Sequence, residues 1–207
     1  MKKILLLTFM LMFSVILNAQ IVENFDSNKF GWIETVQRDG KAIITEGVMR
    51  IEGKKPVENI WEINANSSRA ITSCYAPFDP KKNFIFKCKA KANRISESGF
   101  FGLIFDYIDD FNHTAFYIAK FDKDVIVVYD KVVENDIVGR RINTLKLKEL
   151  KNSELSFELK STYDKLELYC NNMLAMEIRH SPIEYTGIGF IVMGQQIVDF
   201  DDVELIQ

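Results

Sequence analysis

Apolar and polar positions alternate along most of this chain, most regularly between Phe84 and Ala92. There Phe84, Phe86, Cys88, Ala90 and Ala92 fall on one side and Lys87, Lys89 and Lys91 on the other. A two-residue period with a lysine stripe predicts a strand with one buried and one wet face. Leu155, Phe157 and Leu159 repeat the pattern against Ser156, Glu158 and Lys160. After a turn at Thr162–Lys165 it resumes with Leu166, Leu168 and Cys170 inward, and beyond Asn171-Asn172 with Leu174, Met176 and Ile178. Asn tolerates left-handed backbone, which suits that second turn. Gly187 to Met193, GIGFIVM, is apolar on both faces and reads as a covered central strand.

From Gly99 to Lys131, three runs rich in aromatic and β-branched residues are separated by the breaks IDDFN and DKD. That spacing predicts an antiparallel meander of three strands. Phe101, Leu103, Phe105 and Tyr107 are expected on one face, with Gly102, Ile104 and Asp106 on the other; Asp109, Asp110 and Asn112 are read as turn chemistry. Nearer the N-terminus, Ile21, Val22 and Phe25 suggest a short strand. Ala42–Ile44 and Val48–Ile51 suggest a hairpin around Glu46-Gly47. Glu58–Ile63 and Ala70–Phe78 read as further strands, and Gln196–Ile206 as the closing one. Lys131 to Arg141 is weakly patterned and reads as an irregular excursion. The best helical candidate, Ile142–Leu150, is short and alternates by two at Lys146 and Lys148. So many short strands without helical periodicity predict an all-β chain, a two-sheet antiparallel β-sandwich or jelly roll.

The first nineteen residues change the expected compartment. Lys2 and Lys3 precede the apolar run Ile4–Leu17, and Ala19 supplies a small residue for cleavage, so 1–19 reads as an export signal. The run is short for a membrane span, which needs about 20 residues. The expected location is periplasmic or extracellular, with no membrane insertion after cleavage, and 20–207 forms a single domain. Loss of Lys2 and Lys3 takes the net charge from −3 to −5 with no basic field, which excludes nucleic acid as a natural partner. Cys74 and Cys88 flank the turn Asp79–Asn83 symmetrically, and a hairpin there would place them opposite each other. Buried free thiols are the plainer expectation for these two and Cys170.

Three stretches carry a resemblance. The opening NFDSNKFGW, the middle GFFGLIFDYIDDFNHTAFYI and the ending VDFDDVELI occur in an order similar to that of exported bacterial sandwiches of the concanavalin A-like lectin/glucanase superfamily, which includes laminin-G-like modules and family-16 glycoside hydrolases. The resemblance implies a jelly roll and, for hydrolases, the strand motif Glu-x-Asp-x-x-Glu. Spacing of two puts such carboxylates on one strand face, where one acts as nucleophile and another as acid/base. That motif is absent; Asp199-Phe200-Asp201 is a pair without a third partner. His113 and His180 begin neither a zinc spacing nor a nucleophile–base order.

The resemblance also implies a structural Ca²⁺. By alternation Asp201 shares the inward face with Val203 and Leu205, where a carboxylate needs a partner. Glu23 and Asp26 near the mature N-terminus would complete an oxygen ligand set, the alternative being backbone N–H partners without metal. For a glycan, the aromatic stock comprises Trp32, Trp61, Tyr107, Tyr117 and Tyr129. Trp61, flanked by Asn59 and Glu62, is the expected ligand-binding residue, and Trp32 the expected core residue. The expected function is a non-catalytic sandwich binding a polysaccharide, an oligosaccharide or another envelope component. One alternative is a glycoside hydrolase using an unusual acidic pair from Asp106, Asp109 and Glu62. The other is a structural or protein-binding envelope protein.

Overall fold

Alternating segments of this kind bury one face each only by pairing edge to edge and stacking in two layers. The computed structural model describes residues 20–57, 68–96, 99–121, 124–145, 154–179 and 182–207. The segment 1–19 expected to be an export signal, the strand expected at Glu58–Ile63 and His180 lie outside them. Among the described residues there are fifteen strands and no helix. The first six are β1 (Gln20–Glu23), β2 (Thr35–Val36), β3 (Gly40–Thr45), β4 (Val48–Gly53), β5 (Arg69–Tyr75) and β6 (Phe84–Arg94). A meander comes next: β7 (Phe100–Asp109), β8 (Asn112–Phe121), β9 (Asp124–Val133) and β10 (Asp136–Leu145). The last five are β11 (Glu154–Ser161), β12 (Lys165–Cys170), β13 (Met173–Arg179), β14 (Gly187–Met193) and β15 (Ile197–Ile206).

The strands form two antiparallel sheets. One runs β13-β12-β11-β6-β15-β4-β3-β2, with β1 also on β15; the other runs β10-β9-β8-β7-β14-β5. β6 pairs along the length of β15. β4 and β1 therefore share the opposite edge of β15 end to end, against Ile197–Phe200 and Val203–Ile206 respectively. The sheet edges are tied together. Asn143 Nδ2 on β10 donates to the Ala175 carbonyl on β13 at 2.7 Å. On the other side Ile33 N donates to the Ser73 carbonyl and Thr72 Oγ1 to the Ile33 carbonyl.

Between the sheets Trp32 stacks on Phe190 at 5.0 Å, and Phe190 on Phe200 at 4.2 Å. Phe190 belongs to the six-stranded sheet and Phe200 to the nine-stranded one, so the column of rings joins the layers. The outer face of the nine-stranded sheet is charged: Lys87 lies between Glu158 and Glu204, and Arg50 pairs with Asp199. Such partly exposed pairs contribute up to about 1 kcal/mol each and mainly keep that face soluble. The outer face of the six-stranded sheet is a second apolar layer, built from Phe100, Ile104, Tyr117, Ile126, Val128 and Ile191 and joined by Val57. β14 is buried at every position, as a covered strand requires.

Several expectations need correction. Lys131–Arg141 is not irregular: β9 runs to Val133, Glu134-Asn135 turn with φ of 51° and 69°, and β10 returns as a fourth meander strand. Its weak patterning reflects its position at the sheet edge, largely exposed along its length. Ile142–Leu145 belong to this strand and not to a helix. The segment from Cys74 to Cys88 is not a hairpin but an arch between the two sheets, and all three cysteines are free and buried. Cys88 and Cys170 lie on either side of Phe157. Two strand spacings separate them, about 9.5 Å, beyond disulfide reach. A register shift between Leu168 and Tyr169 turns Ala175 inward and leaves Leu174 exposed.

A cleft at one end of the sandwich and an acidic notch beside the closing strand

The functional geometry begins with an irregularity in β7. Asp106 adopts φ of 50° and is one extra residue against β14, where Gly187 faces Tyr107 and Ile188 faces Phe105. An extra residue in one strand reverses the facing of the residues beyond it. Tyr107 therefore joins Ile104 on the outer face instead of sharing the inner one with Phe105. The same bend aims the Asp106 carboxylate at the loop before β14. Its Oδ1 accepts from Glu184 N at 3.0 Å and Tyr185 N at 2.9 Å. The neighbouring turn is held by its own side chains. Asp109 Oδ1 accepts from Phe111 N and Asn112 Nδ2, while Asn112 Oδ1 accepts from Glu134 N. The turns and the loop enclose an open cleft of about 290 Å³ lined by Asp106, Ile108, Lys131, Val133, Glu184 and Tyr185, among others.

Behind the turn, Tyr107 OH donates to Asp110 Oδ1 at 2.9 Å and Arg69 Nη2 to the Asp110 carbonyl. Burial pushes the Tyr107 phenol up and lowers Arg69. His113 is buried, with Nδ1 unpartnered among the described residues. Burial, reinforced by Arg69, holds its imidazole down at about 4, against hydrogen bonds to the backbone of Asp109 and Asp110. Further along the sheet Arg140 grips Asp130 with Nε at 2.7 Å and Nη2 at 2.6 Å, and Tyr117 OH also donates to this carboxylate. Burial raises Asp130 while Arg140 pulls against it. A satisfied buried pair of this kind fixes geometry more than it adds stability.

The acidic notch lies on β15. The register with β6 shifts between Asp201 and Glu204, and Asp202 has φ of 48°. Asp201 is therefore opposite Lys89 on the outer side and does not share the inward face of Val203 and Leu205, contrary to simple alternation. Its carboxyl is raised, first by burial and then by Asp202 and Asp26, with the Asp202 N–H opposing. Asp26 thus stands near enough for the two carboxylates to repel. The Gly47 turn adjoins it: a Cβ at Gly47 would stand 3.5 Å from Asp26 Oδ1 and 3.9 Å from the Asn24 carbonyl oxygen. Carboxylate and carbonyl oxygens are the ligand type a hard cation takes. Glu23 does not fit: its side chain is in the core, Oε1 accepts from Phe25 N, and Oε2 has no partner among the described residues. Among the described residues no three His, Cys, Asp or Glu side chains group to hold a metal.

Trp61, Asn59 and Glu62 lie outside the described residues. Trp32, Tyr107, Tyr117 and Tyr129 are all buried, so none offers an open stacking surface. Asp199 is consumed by Arg50, at 2.7 and 2.9 Å, and by Asn93 Nδ2. Among the described residues the exposed rings are Tyr75, Phe111, Tyr163 and Tyr185, and of these Tyr185 shares the cleft with Ile108 and Val133. Tyr185 sits in no alternating run, so periodicity carried no signal for it. Its neighbour Pro182 and the lack of pattern before Gly187 mark only a loop.

Two antiparallel sheets in this arrangement define a concanavalin A-like jelly roll, and solved structures of that class are similar to the chain. The carbohydrate-binding module CBM66 from Bacillus subtilis is 12% identical with a TM-score of 0.62, over 86% of this chain and 96% of that one. The Bacillus licheniformis β-glucanase is 11% identical with a TM-score of 0.60, over 92% and 99%. A legume lectin-like domain from Entamoeba histolytica is 11% identical with a TM-score of 0.57, over 90% and 88%. No protein-family model and no curated protein matches the sequence.

Proposed function

We propose that this chain is an exported, non-catalytic β-sandwich that binds a glycan in the periplasm or outside the cell. The observation that carries the non-catalytic part is the state of the candidate acids. Asp106 and Asp109 commit oxygens to backbone N–H groups, and Asp199 is clamped by Arg50 and Asn93. A retaining hydrolase needs two carboxylates facing one substrate, whereas Asp106 and Asp109 each spend Oδ1 on holding a loop or turn and keep only Oδ2 for a ligand. Glycan binding is supported by the likeness to a carbohydrate-binding module of nearly the same extent and to a lectin-like domain. The export signal at 1–19 supports the location. Trp61, with Asn59 and Glu62 for hydroxyl groups, is the ring proposed to stack on a sugar.

Calorimetric titration with 1,3-β-glucan, xyloglucan, xylan and mucin glycans tests the reading. Binding without release of reducing ends is expected. Silence across the panel sinks it; reducing-end release that disappears in Asp106→Asn replaces it with the hydrolase. A structural Ca²⁺ is proposed as well, held by the carboxylates of Asp201 and Asp26, with no side-chain oxygen from Glu23. Adding millimolar calcium to chelated protein is expected to raise the melting temperature, and less so in Asp201→Asn. Absence of both heat and shift rejects the metal.

A further inference from the structure

We propose that the cleft between the β7–β8 turn, the β9–β10 turn and the loop at 182–186 binds the end of a neutral saccharide chain. This rests on the glycan reading and assigns it a contact that shares no residue with Trp61, Asn59 and Glu62. The cleft, of about 290 Å³, is at the small end of ligand sites, which run from about 300 to 1,000 Å³. One or two sugar rings suit that size better than a long chain lying flat.

The lining has the two chemistries a sugar ring needs. Tyr185 is 43% exposed, Ile108 40% and Val133 38%, so an aromatic ring and two aliphatic side chains meet solvent around one opening. An amphipathic ring with a wet edge receives the C–H face of a pyranose and still leaves its hydroxyl for water. Beside it stand acceptors and a donor. Asp106 Oδ1 is taken by the loop N–H groups, leaving Oδ2 as an acceptor; Glu184 is exposed, and Lys131 makes no ion pair among the described residues. A sugar hydroxyl donates to the first two and accepts from the third. Two carboxylates against one ammonium disfavour an anionic sugar by like-charge repulsion. The site is also held in shape before any ligand arrives. Asp106, itself fixed in left-handed backbone, clamps the main chain of the residue that carries the ring. Such preorganisation lowers the ordering cost of binding.

The test is calorimetric titration of the whole chain with 1,3-β-glucan, xyloglucan, xylan and mucin glycans, comparing the unaltered protein with Tyr185→Ala, Tyr185→Phe, Lys131→Ala and Trp61→Ala. Tyr185→Ala is expected to weaken binding about tenfold, the loss of one good contact. Tyr185→Phe should restore most of the affinity and Lys131→Ala weaken it several-fold. Melting temperatures of the three cleft variants should stay near the parent value, because the altered side chains lie at the cleft opening. A charged uronic-acid oligosaccharide should bind worse than its neutral counterpart. Affinity unchanged in both Tyr185→Ala and Lys131→Ala overturns the site while leaving the glycan reading intact, all the more so if Trp61→Ala alone abolishes binding. Silence toward every sugar overturns the glycan reading and this site with it. Peptide binding that depends on Tyr185, without sugar binding, transfers the cleft to a protein partner and overturns the assignment.

Discussion

His113 illustrates what a single buried side chain contributes at this end of the molecule. Its ring is enclosed beside Tyr107 and Arg69, and burial holds it neutral down to about 4. The unfolded chain binds a proton near the ordinary 6.5, so between these values the unfolded state takes up the proton and the folded state does not. A depressed group stabilises the fold above its unfolded pKa and loses that contribution as pH falls toward the folded one. Between pH 7 and 4.5 the loss is on the order of 2–3 kcal/mol, at about 1.4 kcal/mol per pKa unit. Urea unfolding at the two pH values is expected to show a smaller drop for His113→Gln than for the parent protein. Nothing in the sequence marked this residue beyond its place at a strand end. The backbone of Asp109 and Asp110 is supplied by the turn just before it, but the Arg69 guanidinium comes from β5, more than forty residues earlier in the chain. Asp201 carries the same lesson: its acidity was visible at once, but its facing was not.

Two tight turns show how much an element says about itself. Asn171-Asn172 was legible because Asn accepts left-handed backbone, and both residues adopt it, with φ of 50° and 62°. Glu134-Asn135 has the same left-handed pair without the same signal, because Glu is not a residue that announces such a turn. Left-handed backbone costs an ordinary residue about 1–2 kcal/mol, and Asn largely escapes that cost. Glu134→Asn should therefore stabilise the β9–β10 hairpin by up to about 1 kcal/mol, read as a higher urea midpoint with an unchanged slope. The backbone N–H of Glu134 would continue to donate to Asn112. A contrasting substitution is Gly189→Ala on β14. A Cβ there would meet the Thr72 carbonyl oxygen at 2.1 Å, so β14 and β5 would have to part. Loss of about 1–3 kcal/mol is expected from such overpacking, seen as a lower melting temperature.

At the scale of the molecule, the column Trp32–Phe190–Phe200 joins the sheets, and Phe190 is fully buried within it. Phe190→Ala should cost about 3–5 kcal/mol through lost burial and the cavity left behind; a thermal midpoint unchanged within a degree or two would show that the layers do not depend on it. The two-layer architecture, the central place of Gly187–Met193 and the buried stripe of Phe84–Ala92 were all legible in the sequence. Period two is a property of each strand alone, and every strand carries its own record of which side faces in. Three things were decided only by the tertiary structure. Cys74 and Cys88 belong to different sheets, because alternation specifies a face but not the layer that a face meets. The extra residues at Asp106 and Asp201–Asp202 put Tyr107 on the face opposite Phe105 and Asp201 on the face opposite Val203, since one inserted position inverts the alternation of every residue after it. Tyr107, Tyr117 and Tyr129 are enclosed while Tyr185 stands open, because exposure of a ring is set by what lies across from it and not by its neighbours in the chain.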